Sequence, residues 1–223
     1  MTPVTAREKV WFLDTNVFAH WVLGEGKVLR YLCDDLDLHD EFFQIYQKRY
    51  HNSITFIEKI FEKRQEGLSD EFYVSSLATN ELFAAIRDEV RSILFFKNGV
   101  PISRWRDARN NPDISAGCYE KIYEMTLQSF DSLFENHGIV IIPEFPPWDD
   151  PNYWSILSSI LFLIKETKTQ DATLLTTAIL NRAHYFVTLD TPLIRSAKKS
   201  IHSHYSLALV NPTEGLQILR NRT

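Results

Sequence analysis

The stretch Val10–Phe18, VWFLDTNVF, decides how this chain is read. Its first four residues are apolar and include β-branched and aromatic side chains, a pattern suited to a strand buried on both faces. The run then stops at Asp14 and continues through Thr15 and Asn16 before apolar residues resume. Four further runs share this character: Phe72–Ser75 (FYVS), Ile139–Ile142 (IVII), Tyr185–Leu189 (YFVTL) and Leu207–Val210 (LALV). The run at Tyr185 ends on Asp190, the one at Ile139 is closed by Pro143, and the last is closed by Asn211-Pro212. Near-continuous apolar runs separated by helical segments predict an α/β fold with a parallel sheet covered on both faces.

The helical segments have their own periodicity. Leu77–Val90 reads as a helix fed by the second strand, and Tyr153–Lys165 as another. Thr169–Arg182 places Leu174, Leu175, Ala178 and Ile179 on one face, with Thr169 as its N-cap. Phe42, Tyr46, Tyr50, Ile54, Ile57 and Phe61 recur at helical spacing, as two helices broken near Asn52-Ser53. Tyr119, Ile122, Tyr123, Thr126, Phe130, Leu133 and Phe134 do the same. These two regions, Asp34–Gly67 and Arg91–Asn136, read as helical elaborations of a single domain spanning residues 1–223.

Composition is that of an ordinary globular chain: 44% hydrophobic and 24% charged residues leave little room for long disordered segments. Loose chain is expected in the first few residues and in the tail Arg220–Thr223. Cys33 and Cys118 form neither metal spacing nor a disulfide framework, which points to a reducing, cytoplasmic setting and to packing roles. No signal peptide is read at the N-terminus. The longest apolar stretch, Tyr153–Ile164, is too short for a bilayer, carries three serines and reads as a core helix. A net charge of −5 argues against a protein that grips nucleic acid with its whole surface, although divalent ions bound at an acidic site would offset most of it.

Ligands of open parallel sheets bind beyond the carboxyl ends of the strands, where both Asp14 and Asp190 fall. Glu81 lies one turn into the helix after the second strand, and Asp171 in the first turn of the helix feeding the fourth. All four would then converge on one rim. Like charges so close repel, and a hard divalent cation removes that cost; all-oxygen ligation suits Mg²⁺ or Mn²⁺. The chemistry served by such a site is phosphodiester hydrolysis.

Four motifs in order, FLDTNVF (Phe12–Phe18), SSLATNELFAAI (Ser75–Ile86), TQDATLLTTAIL (Thr169–Leu180) and FVTLDTPLI (Phe186–Ile194), resemble those of PIN-domain nucleases. The closing LALVNP (Leu207–Pro212) is similar to that family's last strand. The resemblance implies a three-layer α/β/α sandwich with a five-stranded parallel sheet in the order 3-2-1-4-5. It also implies Mg²⁺- or Mn²⁺-dependent cleavage of single-stranded RNA. It makes Asp14, Glu81, Asp171 and Asp190 the catalytic metal ligands, with Asn16 and Thr188 supporting them. Many relatives are toxins held by an antitoxin, whereas others process RNA, and the two helical elaborations do not match the compact toxin-type members. The partners expected are RNA, an antitoxin or other protein, and a second copy of the chain, with no membrane.

Each residue also has a plainer reading. Asp14 and Asp190 could be turn residues after strands, Asp171 a first-turn acid favoured by the helix dipole, and Glu81 an exposed helical glutamate. Glu89, two turns further on, is a poor substitute for Glu81. Arg104, Arg106 and Arg109, interleaved with Trp105, are candidates for holding RNA phosphates and stacking a base. Lys198 and Lys199 follow Asp190 closely, and His202 and His204 read as surface residues. Asp34, Asp35 and Asp37 read as the solvated start of a helix. A phosphatase of the haloacid dehalogenase type also places Asp after its first strand, but it needs a second acid where this chain has Asn16. A non-catalytic PIN-like scaffold and a nuclease for structured DNA remain alternatives to the ribonuclease.

Overall fold

The computed structural model describes residues 8–25, 27–104, 115–136, 138–143, 150–165 and 167–222. In chain order the elements are β1 (Val10–Leu13), α1 (Thr15–Gly24), α2 (Val28–Asp35), α3 (Asp40–Gln47), α4 (His51–Gln65), β2 (Glu71–Ser75) and α5 (Ser76–Lys97). They continue with α6 (Ala116–Asp131), β3 (Ile139–Ile142), α7 (Tyr153–Leu163), α8 (Thr169–Leu180), β4 (Tyr185–Val187), α9 (Thr191–Tyr205), β5 (Ala208–Val210) and α10 (Pro212–Arg220). A 3₁₀ turn at Ile102–Arg104 and a π turn at Ser132–Asn136 flank α6.

All five strands run parallel in the order β3-β2-β1-β4-β5. β1 is central, with Trp11 opposite Phe72 on β2 and opposite Tyr185 on β4. Successive strand residues point to opposite faces, and Trp11, Phe12 and Leu13 are all fully buried. Both faces of the sheet are therefore covered at its centre, as the unbroken apolar run of β1 anticipates. Aromatic rings tie the strands together: Trp11 stacks on Tyr185 at 4.2 Å between centroids and Phe12 on Phe186 at 5.6 Å. On β3, an edge strand, Val140 and Ile141 stay exposed.

Helix starts at the carboxyl end of the sheet are capped by side chains. Ser75 accepts from the Ala78 amide, Asp190 from Leu193, and Asn211 and Glu214 form a reciprocal capping box. At the opposite edge, Asp70 is a buried anchor. It accepts from the Lys9 amide at 3.0 Å and from Trp11 Nε1 at 2.9 Å, and pairs with Arg222.

Several expectations need correction. The tail is not loose as far as Arg222, because the Asp70 pair holds that residue. The helix after β2 runs on to Lys97, past the expected end at Val90, because Ile93, Leu94 and Phe95 continue its buried face. Lys168, not Thr169, is the N-cap of α8, and its side chain makes no capping bond. The break in the aromatic-rich helical region falls between Gln47 and His51, just before Asn52. Asp34 and Asp35 close α2 rather than open a helix, and Asp37 adopts a left-handed turn conformation (φ 53°). Finally, α7 is not a core helix: it buries Tyr153, Leu157 and Ile160 but exposes Trp154, Leu161, Phe162 and Leu163. Among the described residues no helix is long and apolar enough to cross a membrane.

Candidate functional site

Strand order reverses direction between β1 and β4, so the crevice beyond their carboxyl ends is the ligand-binding position of an open parallel sheet. Asp14 and Thr188 occupy it. The Asp14 amide continues the ladder by donating to Val187 O at 2.9 Å, and the Thr188 amide donates to Val210 O at 3.0 Å. Both residues are buried.

A web of short hydrogen bonds fixes the acids. The Thr188 hydroxyl donates to Asp14 Oδ2 at 2.6 Å and accepts from the Asp190 amide at 3.0 Å. The Thr15 amide donates to Asp14 Oδ1 at 2.8 Å, so Asp14 also caps α1. The Thr15 hydroxyl, buried beside it, donates to Glu81 Oε2 at 2.8 Å. Close packing of α1 on α5 makes this last bond possible. Asp190 Oδ1 accepts from the Leu193 amide at 2.7 Å as the cap of α9.

Electrostatics link the four acids in sequence. Burial raises the Asp14 pKa from 3.8 to about 6; the bonds from Thr188 and Thr15 lower it, and the charges of Glu81 and Asp171 raise it again. The Asp171 carboxyl is raised as well, by burial first and by the Asp190 charge second, with Lys168 opposing. Glu81, Asp14, Asp171 and Asp190 are thus one run of mutually repelling neighbours.

All four side chains are carboxylates, the oxygen donors that a hard divalent ion takes. The side chains do not already form a closed ligand shell, however. Among the described residues no group of three His, Cys, Asp or Glu stands close enough to hold an ion. Each of the four acids is instead held by a hydrogen bond from the chain itself, Asp171 by the Lys168 backbone.

The other candidates are spread out. Asn16 is exposed on the first turn of α1, outside the buried web. Arg104 is exposed in the 3₁₀ turn, and Trp105, Arg106 and Arg109 lie outside the described residues. Lys198 bonds to Glu214 on α10 at 2.9 Å, and His202 and His204 are exposed in the last turn of α9. Glu89 serves the fold, taking the Tyr50 hydroxyl at 2.8 Å and pairing with Arg49 at 3.2 Å. Cys33 and Cys118 are buried and free. Thr15 is the site residue that sequence reasoning passed over; its signal was its place directly after the strand-end acid. Comparison with family models, with curated proteins and with solved structures returned no match.

Proposed function

We propose that this chain is a metal-dependent nuclease of the PIN type that hydrolyses phosphodiester bonds in single-stranded RNA. The observation that carries the reading is Asp14. It is a buried carboxylate at the sheet's switch point, raised to about 6 and flanked by the charges of Glu81 and Asp171. Perturbed acids gathered at a ligand crevice are the physical mark of a functional site.

On this reading Asp14, Glu81, Asp171 and Asp190 hold Mg²⁺ or Mn²⁺, directly or through water. The bound ion would supply a nucleophilic water near neutral pH and offset negative charge on the phosphoryl oxygens. Thr188 holds Asp14 in one orientation, and Thr15 does the same for Glu81. Asp14 would hold the ion through its ionised carboxylate, the form favoured above about pH 6. The alternative, a PIN-like scaffold that binds RNA or protein without cutting, draws on the missing three-acid group among the described residues.

The test is cleavage of a labelled single-stranded RNA with Mn²⁺, Mg²⁺ or excess chelator, run beside Asp14→Asn, together with thermal melts in the same metals. Metal-dependent cutting that falls by about a hundredfold or more in Asp14→Asn supports the nuclease. Equal cutting by the variant overturns the site. No cutting and no metal-dependent rise in melting temperature favours the scaffold.

A further inference from the structure

We propose that the exposed face of α7 is a self-association surface, on which a second copy of this chain docks antiparallel about a two-fold axis at Ser158. The inference is independent of the nuclease reading.

Trp154, Ser158, Leu161 and Phe162 lie on one side of α7, and Phe162 is 90% exposed and Trp154 61%. A helix normally turns such side chains to the core and its polar residues outward. Here the inner side is already filled by Tyr153, Leu157 and Ile160. From Tyr153 to Leu163 the helix carries no charged residue at all. Nucleic acid would require cationic side chains, and an interfacial membrane helix would carry Lys or Arg on its polar face. Neither occupant suits a charge-free helix in a chain of net charge −5.

A second copy does suit it, for three reasons. The pattern is nearly palindromic: Trp154 and Phe162 each stand four residues, about 6 Å, from Ser158. A two-fold axis there sets Trp154 of one protomer against Phe162 of the other, the self-complementarity that an isologous interface requires. Second, the helix ends are oppositely charged. Asp150 precedes α7 and Lys165 follows it, so antiparallel pairing brings unlike charges together whereas parallel pairing brings like ones. Third, the crossing residue is small and already satisfied. Ser158 Oγ donates to Trp154 O at 2.7 Å, so covering it strands no hydrogen-bonding group.

The area is of the right order. Aromatic side chains bury about 150–250 Å² each, so Trp154, Phe162 and Leu161 offer roughly 400 Å² of apolar surface per protomer. Two copies give about 800 Å², close to the apolar share of an interface of roughly 1,600 Å². That is well short of the roughly 2,000 Å² and more of obligate interfaces, so the expected dimer is a reversible one.

The test is sedimentation of the full chain over a micromolar concentration series, comparing the wild type with Phe162→Glu and Ser158→Cys. The expected result is a concentration-dependent dimer. Phe162→Glu should weaken it by about a hundredfold or more, because symmetry removes the anchor twice, while leaving unchanged the thermal melt taken at concentrations where both proteins are monomers. Ser158→Cys should form a disulfide-linked dimer under mild oxidation, since two helices crossing on small residues approach within about 8 Å and the native Cys33 and Cys118 are buried. A monomer at every concentration overturns the proposal, as does a dimer unmoved by Phe162→Glu. A dimer lost in Phe162→Glu but never cross-linked through Ser158→Cys overturns the antiparallel geometry. Phe162-dependent binding of the monomer to phosphatidylcholine vesicles would assign the face to a lipid surface instead.

Discussion

Replacing Asp14 with Asn should make the protein more stable at neutral pH and less stable in acid. The Asp14 carboxyl titrates at about 6 in the folded chain against 3.8 for an unperturbed aspartate. A folded-state value above the unfolded one means that the folded state binds the proton more tightly. Folding is therefore favoured by this group below about pH 4, and that contribution disappears as pH rises through 6. At pH 7.5 the ionised carboxylate costs the fold about 3 kcal/mol relative to its protonated form. Asn carries no charge and escapes that cost. Its side-chain oxygen still accepts the Thr15 amide, but its NH₂ meets the Thr188 hydroxyl where Asp14 Oδ2 accepts a bond of 2.6 Å. Rearranging that bond costs about 1 kcal/mol. The net expectation is a gain of about 2 kcal/mol at pH 7.5, or roughly 4–8 °C in melting temperature for a chain of this size. Below pH 4 the sign reverses, to a loss of about 1 kcal/mol.

Circular-dichroism melts of both proteins from pH 4 to pH 7.5, in chelator, would follow the crossover. Carboxylates remote from Asp14 titrate alike in both chains and cancel in the difference, whereas relief of the repulsion on Glu81 and Asp171 adds to the gain at neutral pH. A variant less stable than wild type at pH 7.5, or a difference independent of pH, would refute the account of Asp14 as a desolvated, repelled acid.

Two further outcomes are expected. Thr15→Val should weaken Mn²⁺ binding, measured by calorimetry, by about 10–100-fold while Thr15→Ser keeps it, because the hydroxyl orients the Glu81 carboxylate; unchanged affinity in the valine variant would remove that role. Asp70→Ala should destabilise the fold by about 3–5 kcal/mol in urea, since it strands Trp11 Nε1 and leaves the largely buried Arg222 without its carboxylate; a loss below about 1 kcal/mol would show that the pair is not an anchor.

The sheet was legible because each strand is a short, double-sided apolar run, and such runs have few other uses in a chain with strong turn signals. Val10–Leu13 and Ile139–Ile142 match residue for residue. Strand ends were less legible: Thr188 and Leu189 extend the apolar spelling of β4, but Thr188 turns its hydroxyl to Asp14 and the strand stops at Val187. Asp14 could be placed at its strand end from pattern alone, and Glu81 and Asp171 by their helix positions, whereas Asp190 lies beyond the end of β4, as the cap of α9, with Thr188 at the strand end instead. The Thr15–Glu81 bond could not, since it depends on how α1 packs on α5, a contact between residues 66 positions apart. Burial of α7 was misjudged for a similar reason. An apolar composition states what could be buried, and only the packing of α7 against α8 decides which side is.

The two buried acids among the described residues, Asp70 and Asp14, differ in what surrounds them. Asp70, at the amino edge of the sheet, is surrounded by donors: a backbone amide, an indole and a guanidinium. Through those contacts the acid ties the C-terminal segment to β1 and β2. Asp14, at the carboxyl edge, has two donors and two acidic neighbours, so the net effect is a carboxyl driven toward its protonated form. An asparagine there would cap α1 through the same oxygen without the electrostatic cost. The fold does not require an anion at position 14. On the proposed reading, a divalent cation bound at the crevice where parallel sheets bind ligands would be the partner that prefers Asp14 ionised.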